Sequence, residues 1–389
     1  MEGDFIKINK ALLPLSWLFS LGVRLRNMMF DIGLLKSQSF DVPVISVGNI
    51  TVGGTGKTPH VEYLIKILQD YCHVAVLSRG YKRKSKGFIK ATATTTMTEI
   101  GDEPFQMKQK FPKVTIAVDK NRCHGIERLT SEDKEIDVIL LDDAFQHRYV
   151  KPGINILLVD YHRLIIYDEM LPAGRLREPL SGKERADILI VTKCPQNLKP
   201  MEYRVITKAM NLYPYQRLFF TTIDYGMLQP VFDKQKSCKE LKDLQDHHIL
   251  LLTGIASPEQ MVHDMSPLCK SIQPMVFADH YQYKEKDAQL INKTFDSMPE
   301  PKLIVTTEKD TTRLTADIGL SEKVKEHIYS LPINISFMLE QENNFNNQII
   351  DYVHKNSRNS ILAKRKDDNK PKDGNRAGDR PRTISFRNH

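Results

Sequence analysis

Short, almost purely apolar runs recur along the first half of the chain, each followed by a longer segment of mixed character. Such runs are typical of strands buried on both faces of a parallel sheet, because no side of the strand faces water. Between them, helical spacing is clearest in residues 58–69, where Val61, Leu64, Ile65 and Leu68 share one face. We predict strands at residues 41–47, 74–78, 114–118, 138–141, 154–159 and 188–191, and helices at residues 58–69, 103–111 and 122–130.

The alternation of buried strands and helices predicts an α/β fold with a mostly parallel sheet covered by helices on both faces. We assign this first domain to residues 36–215, and we expect a second, smaller α/β domain at residues 216–355 because the pattern begins again there. In the second domain we predict strands at residues 218–223, 249–252, 303–305 and 333–337, and helices near residues 258–265 and 286–295.

The N-terminal region, residues 1–35, contains the apolar segment 12–30. Its flanks do not fit a signal peptide, and two arginines interrupt it before the roughly 18 uncharged residues that a membrane span needs. Wound as a helix, it places its polar residues on one narrow stripe. A helix lying in the membrane interface is favoured by the chain's only Trp, and a core-packing helix is the alternative. The stripe consists of Ser16, Ser20, Arg24, Asn27 and Asp31.

The net charge of +8 is concentrated at the C-terminal end. Residues 357–389 hold ten Lys and Arg against four Asp, which leaves 46 basic and 44 acidic side chains elsewhere. The nearly neutral body argues against nucleic-acid binding. We expect residues 356–389 to form a disordered basic tail, either simply solvated or attracted to an anionic membrane surface or nucleic acid. The five cysteines are scattered without metal-binding spacing, which suits a reducing compartment.

A glycine-rich loop follows the first predicted strand and precedes the first predicted helix. It fits the P-loop consensus G-x-x-x-x-G-K-[ST], except that Thr51 replaces the leading Gly. Backbone N–H groups and the helix N-terminus would bind phosphate oxygens. Lys57 would reach the β- and γ-phosphates, and Thr58 would offer its hydroxyl to Mg²⁺. The predicted nucleotide-binding residues are Thr51, Val52, Gly53, Gly54, Thr55, Gly56, Lys57 and Thr58.

Several carboxylates stand where they could take part in phosphoryl transfer. Asp142 and Asp143 end a predicted buried strand, where a P-loop enzyme needs a carboxylate on the Mg²⁺ side; solvated loop acids are the alternative. Asp102 opens a predicted helix, either as its N-cap or as a general base for an acceptor hydroxyl. His280, in the second domain, is either a structural histidine or a catalytic one.

Eight short motifs, taken in their order along the chain, resemble the tetraacyldisaccharide 4'-kinase family, the lipid A 4'-kinases of Gram-negative bacteria. The resemblance extends to about residue 355, and the family's loop also has a hydroxyl residue at the position of Thr51. Ala144, Tyr281 and Tyr283 depart from the usual family residues without removing a reacting group. The motifs are VGNITVGGTGKTP (47–59), SRGY (78–81), GDEP (101–104), DDAFQHR (142–148), LPAGRLREP (171–179), TGIASPEQM (253–261), ADHYQY (278–283) and TTEKD (306–310).

The resemblance implies that ATP, with Mg²⁺, phosphorylates the 4'-hydroxyl of a tetraacyl glucosamine disaccharide 1-phosphate. It implies that Asp102 is the general base and His280 its partner across a cleft, with Lys57 and Asp143 completing the catalytic set. Thr58 and Asp142 are the implied metal ligands. The implied substrate-binding residues are Arg79, Tyr81, Glu103, Arg122, Gln146, His147, Arg177 and Glu178.

The resemblance also implies a lipid disaccharide substrate and a peripheral position at the cytoplasmic face of the bacterial inner membrane, reached through the N-terminal helix. We expect no nucleic acid and no obligate protein partner. The alternative from another class is a membrane-associated P-loop switch ATPase or GTPase that modifies no small molecule.

Overall fold

The computed structural model describes residue 6 and residues 8–233, 235–255, 258–279, 281–315 and 318–357. His280 and nearly all of the basic tail predicted at residues 356–389 lie outside the described residues.

Strands within the described residues assemble into two sheets. Most of the predicted strands are present within a few residues of their expected bounds. The strands are β1 (Val44–Gly48), β2 (Val74–Ser78), β3 (Ile89–Lys90), β4 (Thr115–Val118), β5 (Val138–Asp142), β6 (Ile154–Asp160), β7 (Ile188–Thr192), β8 (Arg217–Tyr225), β9 (Gln229–Pro230), β10 (His248–Thr253), β11 (Ser271–Val276), β12 (Lys302–Thr307), β13 (Ile328–Leu331) and β14 (Ile333–Phe337).

Helices connect and cover these strands. The helices predicted at residues 58–69, 103–111 and 122–130 correspond to the second, fourth and fifth observed helices. The helices are α1 (Leu13–Asp31), α2 (Lys57–Leu68), α3 (Met97–Ile100), α4 (Asp102–Lys110), α5 (Arg122–Glu132), α6 (Pro200–Met210), α7 (Glu259–Met265), α8 (Glu285–Ser297), α9 (Glu308–Leu314), α10 (Glu322–His327) and α11 (Glu342–Asn356).

The larger sheet has nine strands in the order β14-β8-β7-β6-β1-β5-β2-β4-β3. Neighbouring strands are parallel except at the edges, where β14 is antiparallel to β8 and β3 to β4. β1 lies between β5 and β6, with Val47 opposite Asp142. The carboxyl ends of β1 and β5 therefore lie side by side, as the predicted α/β fold requires.

Helices cover both faces of this sheet, which explains why its central strands are almost entirely apolar. On one face Val47 packs in a single core cluster with Leu64 of α2 and Phe345 of α11. On the other face Leu141 packs with Ile126 of α5. Each strand therefore loses contact with water on both sides, and burial of apolar surface is its main source of stability.

The smaller sheet has five strands in the order β11-β10-β12-β13-β9, with only β9 antiparallel to its neighbour.

The arrangement of the strands differs from the predicted division of the chain at residue 216. β8 and β14, at the two ends of the range 216–355, join the larger sheet, and α11 covers that sheet through Ile349 and Val353. An apolar run shows that a strand is buried, but it does not show which sheet the strand joins.

The N-terminal helix α1 lies against the larger unit through its polar stripe. The Ser16 hydroxyl donates to the Met170 carbonyl at 2.9 Å, and Arg148 forms an ion pair with Asp31 at 2.5 Å. Phe30 is buried and Val23 packs against the core, but most of the other apolar side chains are exposed, Trp17 by 73%. The core-packing alternative is therefore wrong for this helix.

Candidate active site

The glycine-rich loop joins β1 to α2, as predicted. Gly56 is the N-cap of α2 and has a φ of 80°, a left-handed conformation that glycine adopts without steric cost. Gly53 also has a positive φ, of 123°. Lys57 is the first residue of α2, and Thr58 follows it. The loop thus ends on unpaired helix N–H groups, which form an anion-binding site.

Two buried side chains that the sequence analysis missed hold this loop from beneath. The Asn49 amide, which is fully buried, donates to the hydroxyl oxygens of Thr55 at 2.9 Å and Thr51 at 3.4 Å. The Thr192 hydroxyl, at the end of β7, donates to the Thr55 carbonyl at 3.1 Å. Thr51 therefore takes part in the structure of the loop through its hydroxyl, which a glycine at this position would lack.

His60, one turn into α2, is a third support that the sequence analysis missed. Its Nδ1 lies 2.7 Å from the Gly56 carbonyl oxygen and its Nε2 lies 3.1 Å from the Thr221 hydroxyl. The carbonyl only accepts, so Nδ1 carries the proton and donates, while Nε2 accepts from the hydroxyl. Burial lowers the pKa of His60 to about 4. The imidazole is therefore neutral at physiological pH and ties the loop to β8.

The carboxylate pair lies beside the loop, at the end of the neighbouring strand β5. Asp142 is 5% exposed, and its Oδ2 accepts from the Ser78 hydroxyl at 3.2 Å. Burial, together with the charges of Asp143 and Glu103, raises the pKa of Asp142 to about 6. Glu103 belongs to the GDEP motif, so this motif lies close to the acidic pair.

Asp143 occupies a left-handed turn with a φ of 48°, an uncommon conformation for a residue with a side chain. One of its carboxylate oxygens lies 3.7 Å from Nζ of Lys57 and the other 3.7 Å from Arg177. These two cations come from the P-loop and from the LPAGRLREP motif. The turn therefore brings together three of the predicted site residues that are far apart in sequence.

Asp102 is the first residue of α4 and forms an ion pair with Arg313 of α9. The N-cap of α4 is Gly101, so the N-cap interpretation of Asp102 is wrong. His280, its expected partner, lies outside the described residues. The preceding Asp279 pairs with Lys309 at 3.1 Å, and Lys309 also pairs with Glu103 at 3.3 Å.

Two residues expected to bind substrate are largely buried. Arg122 is 2% exposed and donates to the backbone carbonyls of Asp119 at 2.9 Å and Asp142 at 3.1 Å. Burial lowers the pKa of its guanidinium to about 10. Glu178 is also 2% exposed, and it pairs with Arg185 at 2.7 Å. These contacts support the acidic turn and the loop after β6, and a direct substrate contact by either residue stays a prediction.

The remaining predicted substrate residues lie nearer the surface. Tyr81 is 56% exposed, and Arg79 is also exposed. The Gln146 side chain donates to the Asn49 carbonyl, which places it under the phosphate-binding loop. Burial, together with the nearby charges of Arg122, Arg26 and Arg79, lowers the pKa of His147 to about 4. His147 is therefore a neutral side chain in a positively charged region.

The glycine-rich loop after a central parallel strand, with an acidic pair ending the adjacent strand, defines a P-loop kinase type of α/β protein. This confirms the predicted fold class. The model of the family described as tetraacyldisaccharide-1-P 4'-kinase matches residues 8–354, and the chain belongs to this family.

Curated relatives carry the same activity in their names. A tetraacyldisaccharide 4'-kinase of Phocaeicola vulgatus is 58% identical over 367 residues, covering 93% of this chain and 100% of the relative. The Bacteroides thetaiotaomicron enzyme of the same name is 54% identical, covering 94% of this chain and 98% of the relative. A Porphyromonas gingivalis relative with this name is 42% identical, covering 90% of this chain and 99% of the relative.

A solved structure agrees with these relatives. The crystal structure of LpxK from Aquifex aeolicus in complex with ATP superposes with a TM-score of 0.67 at 30% identity, covering 89% of this chain and 99% of that chain. The family, the relatives and this structure confirm the predicted ATP-dependent 4'-kinase rather than a switch ATPase or GTPase, and a kinase of this family implies Mg²⁺ beside ATP.

Proposed function

We propose that phosphoryl transfer to the 4'-hydroxyl of a tetraacyl glucosamine disaccharide 1-phosphate takes place between the P-loop and the first turn of α4. The observation that carries this proposal is the meeting of Lys57, Asp143 and Arg177, each ion pair 3.7 Å long, at the carboxyl edge of the larger sheet. Ligands of open α/β sheets bind outside that edge. Lys57 and the loop N–H groups would bind the phosphates of ATP there.

Mg²⁺ fits the oxygen ligands at this edge. Oδ1 of Asp142 is buried and accepts no hydrogen bond from the described residues, and Thr58 follows Lys57 in the first turn of α2. Among the described residues no group of three or more His, Cys, Asp or Glu could hold a metal ion. Mg²⁺ usually completes its coordination with substrate phosphates and water. Thr58 and Asp142 would hold the ion, which when bound neutralises phosphate charge.

The acceptor side of the reaction is assigned to Asp102. Its carboxylate would accept the proton of the sugar 4'-hydroxyl as the oxygen forms a bond to the γ-phosphorus and the bond to the bridging oxygen of ADP breaks. Asp143 would keep Lys57 and Arg177 in place around the transferring group. Positioning and electrostatics supply most of the rate in this class of reaction, so rigid placement of these residues matters more than their intrinsic reactivity.

The lipid acceptor would reach this site from a membrane surface on which α1 lies. Helix α1 exposes Trp17, Leu18 and Leu21 by 73%, 68% and 65%. A wide exposed apolar face with nearby arginines is typical of helices that lie in the membrane interface, with the apolar face buried about 5–10 Å deep at the headgroup region. No helix among the described residues has the length and apolar character needed to cross a membrane. We infer a peripheral position on the cytoplasmic face of the inner membrane.

A single substitution tests the acceptor side of this proposal. Asp102→Asn should lower kcat by roughly 10²–10⁴-fold, the usual contribution of a general base, while the Kd for ATP changes by less than about twofold. Rates are measured as lipid phosphate formed, and ATP affinity by calorimetry. Loss of ATP affinity in proportion to the loss of rate would identify Asp102 as a nucleotide ligand and contradict the assignment.

A further inference from the structure

The ion pair between Asp102 and Arg313 joins the two parts of the molecule. Asp102 begins α4, which packs on the larger sheet, and Arg313 lies in α9, which follows β12 of the smaller sheet. The Arg313 side chain is fully buried, and the Asp102 side chain is 12% exposed. A buried guanidinium needs a close anionic partner, since an unpaired buried charge costs several kcal/mol.

A second carboxylate fixes Arg313 from the side of the smaller sheet. Asp310, also fully buried, pairs with Arg313 at 3.2 Å. Asp310 itself accepts from the Gly254 backbone N–H at 2.9 Å and from the Thr307 hydroxyl at 2.7 Å. The TTEKD motif and the end of β10 thus form a rigid support for the guanidinium, and the guanidinium reaches out of this support to Asp102.

The backbone fixes Asp102 from the opposite side. Gly101 has a φ of 91°, and a Cβ atom there would lie 2.9 Å from the Tyr81 carbonyl oxygen. The SRGY and GDEP segments are therefore in close backbone contact. This contact fixes the backbone at the start of α4, and Arg313 bonds to the Asp102 carboxylate from the other side.

We propose that Arg313 is a positioning residue for the phosphoryl transfer, which orients the Asp102 carboxylate. The proposal rests on the proposed role of Asp102 as general base. The base then depends on the smaller sheet for its position, so any change that separates α9 from α4 switches off proton transfer.

Arg313→Gln tests the proposal, because it removes the guanidinium that orients Asp102 without changing the Asp102 residue itself. We expect kcat to fall by about 10²-fold, the cost of misplacing a catalytic group by about 1 Å, while KM for ATP stays within about twofold. Arg313→Lys, which keeps the charge but not the planar fork, should recover part of the loss.

Glu308→Gln is the matched control, since Glu308 forms a different ion pair across the same α4–α9 contact, with Lys110 at 3.0 Å. If Arg313 acts through Asp102, Glu308→Gln leaves kcat within a few-fold of the wild type. An equal loss in both variants would show that the ion pairs only hold the two helices together, and this would overturn the proposal.

A double-mutant cycle separates the proposal from the role of Asp102 itself. In an Asp102→Asn background, Arg313→Gln should cause no further loss, whereas a multiplicative loss would overturn the proposal. If Asp102→Asn alone keeps full turnover, the assignment of the base fails instead, which is a distinguishable result. If circular dichroism shows that Arg313→Gln does not fold, Arg313→Lys replaces it in the same cycle. A further, multiplicative loss in the Asp102→Asn background would again overturn the proposal.

Discussion

Buried polar side chains beneath the P-loop hold its backbone and hydroxyl groups in place. Asn49, His60 and Thr192 come from three different elements and each bonds to a loop atom or to the Gly56 carbonyl. Local sequence predicts the loop because its glycines, Lys57 and Thr58 are consecutive. It does not show that the Asn49 and His60 side chains turn towards the loop, and it does not show that Thr192 and Thr221, which are distant in sequence, meet them there.

The same reason explains the residues whose expected exposure differs from the structure. The family resemblance implied that Arg122 and Glu178 bind substrate, although charged side chains that do so are mostly exposed before binding. Each instead has partners distant in sequence, the Asp142 carbonyl for Arg122 and the Asn27 amide, at 2.7 Å, for Glu178. A single sequence without contact information cannot distinguish a buried, paired charge from an exposed one.

His60 makes the stability of the protein depend on pH in a defined direction. Its pKa is about 4 in the fold against 6.5 ordinarily, so the unfolded chain takes up the proton first. The contribution is fully present above pH 6.5 and is lost as pH falls towards 4, by up to about 3 kcal/mol. The thermal midpoint of the wild type should therefore fall more steeply over this range than that of His60→Gln. Parallel curves for the two proteins would contradict this assignment.

At the scale of elements, periodicity predicted the polar stripe of α1 correctly and left two environments open for its apolar face. Periodicity shows that a helix has two faces, but not whether protein or membrane covers the apolar one. The structure turns the polar face inward, where the Asn27 amide contacts Glu178. An ordinary surface helix buries its apolar face and exposes its polar face. Helix α1 does the opposite, since its polar contacts face the protein and much of its apolar face is open.

The exposed face of α1 predicts membrane binding. Replacing Trp17, Leu18 and Leu21 with Ser should reduce sedimentation with anionic phospholipid vesicles at least about tenfold, because each large apolar side chain contributes roughly 1.5–3 kcal/mol when buried. Met201→Ser on α6 is the matched control, since Met201 is 66% exposed outside this face. Equal loss with the control, or unchanged binding of the triple variant, would contradict an interfacial role for α1.

Single strands and helices were predicted more accurately than their association. The strands at residues 218–223 and 333–337 are present as β8 and β14, and both belong to the larger sheet. α11, which no apolar run indicated clearly, covers the same sheet through Phe345. The chain leaves the larger sheet after β8 and returns to it at β14. Local sequence patterns do not show such a return.

For the whole molecule, the two sheets are joined where the predicted motifs meet. GDEP contributes Asp102 and Glu103, and α9 contributes Arg313 and Lys309, to ion pairs across this contact. The sequence predicted a catalytic link between the two parts of the chain through Asp102 and His280. The described residues add a link through Arg313, which the sequence analysis did not consider because the TTEKD motif ends three residues earlier.

Transfer of label from γ-labelled ATP to purified tetraacyl disaccharide 1-phosphate in detergent micelles tests the central claim most directly. We expect labelled lipid with the wild type, and loss of label with Lys57→Ala or with a 4'-deoxy acceptor. Release of labelled phosphate from ATP without any labelled lipid, or equal labelling of the 4'-deoxy acceptor, would contradict a kinase that acts on the 4'-hydroxyl.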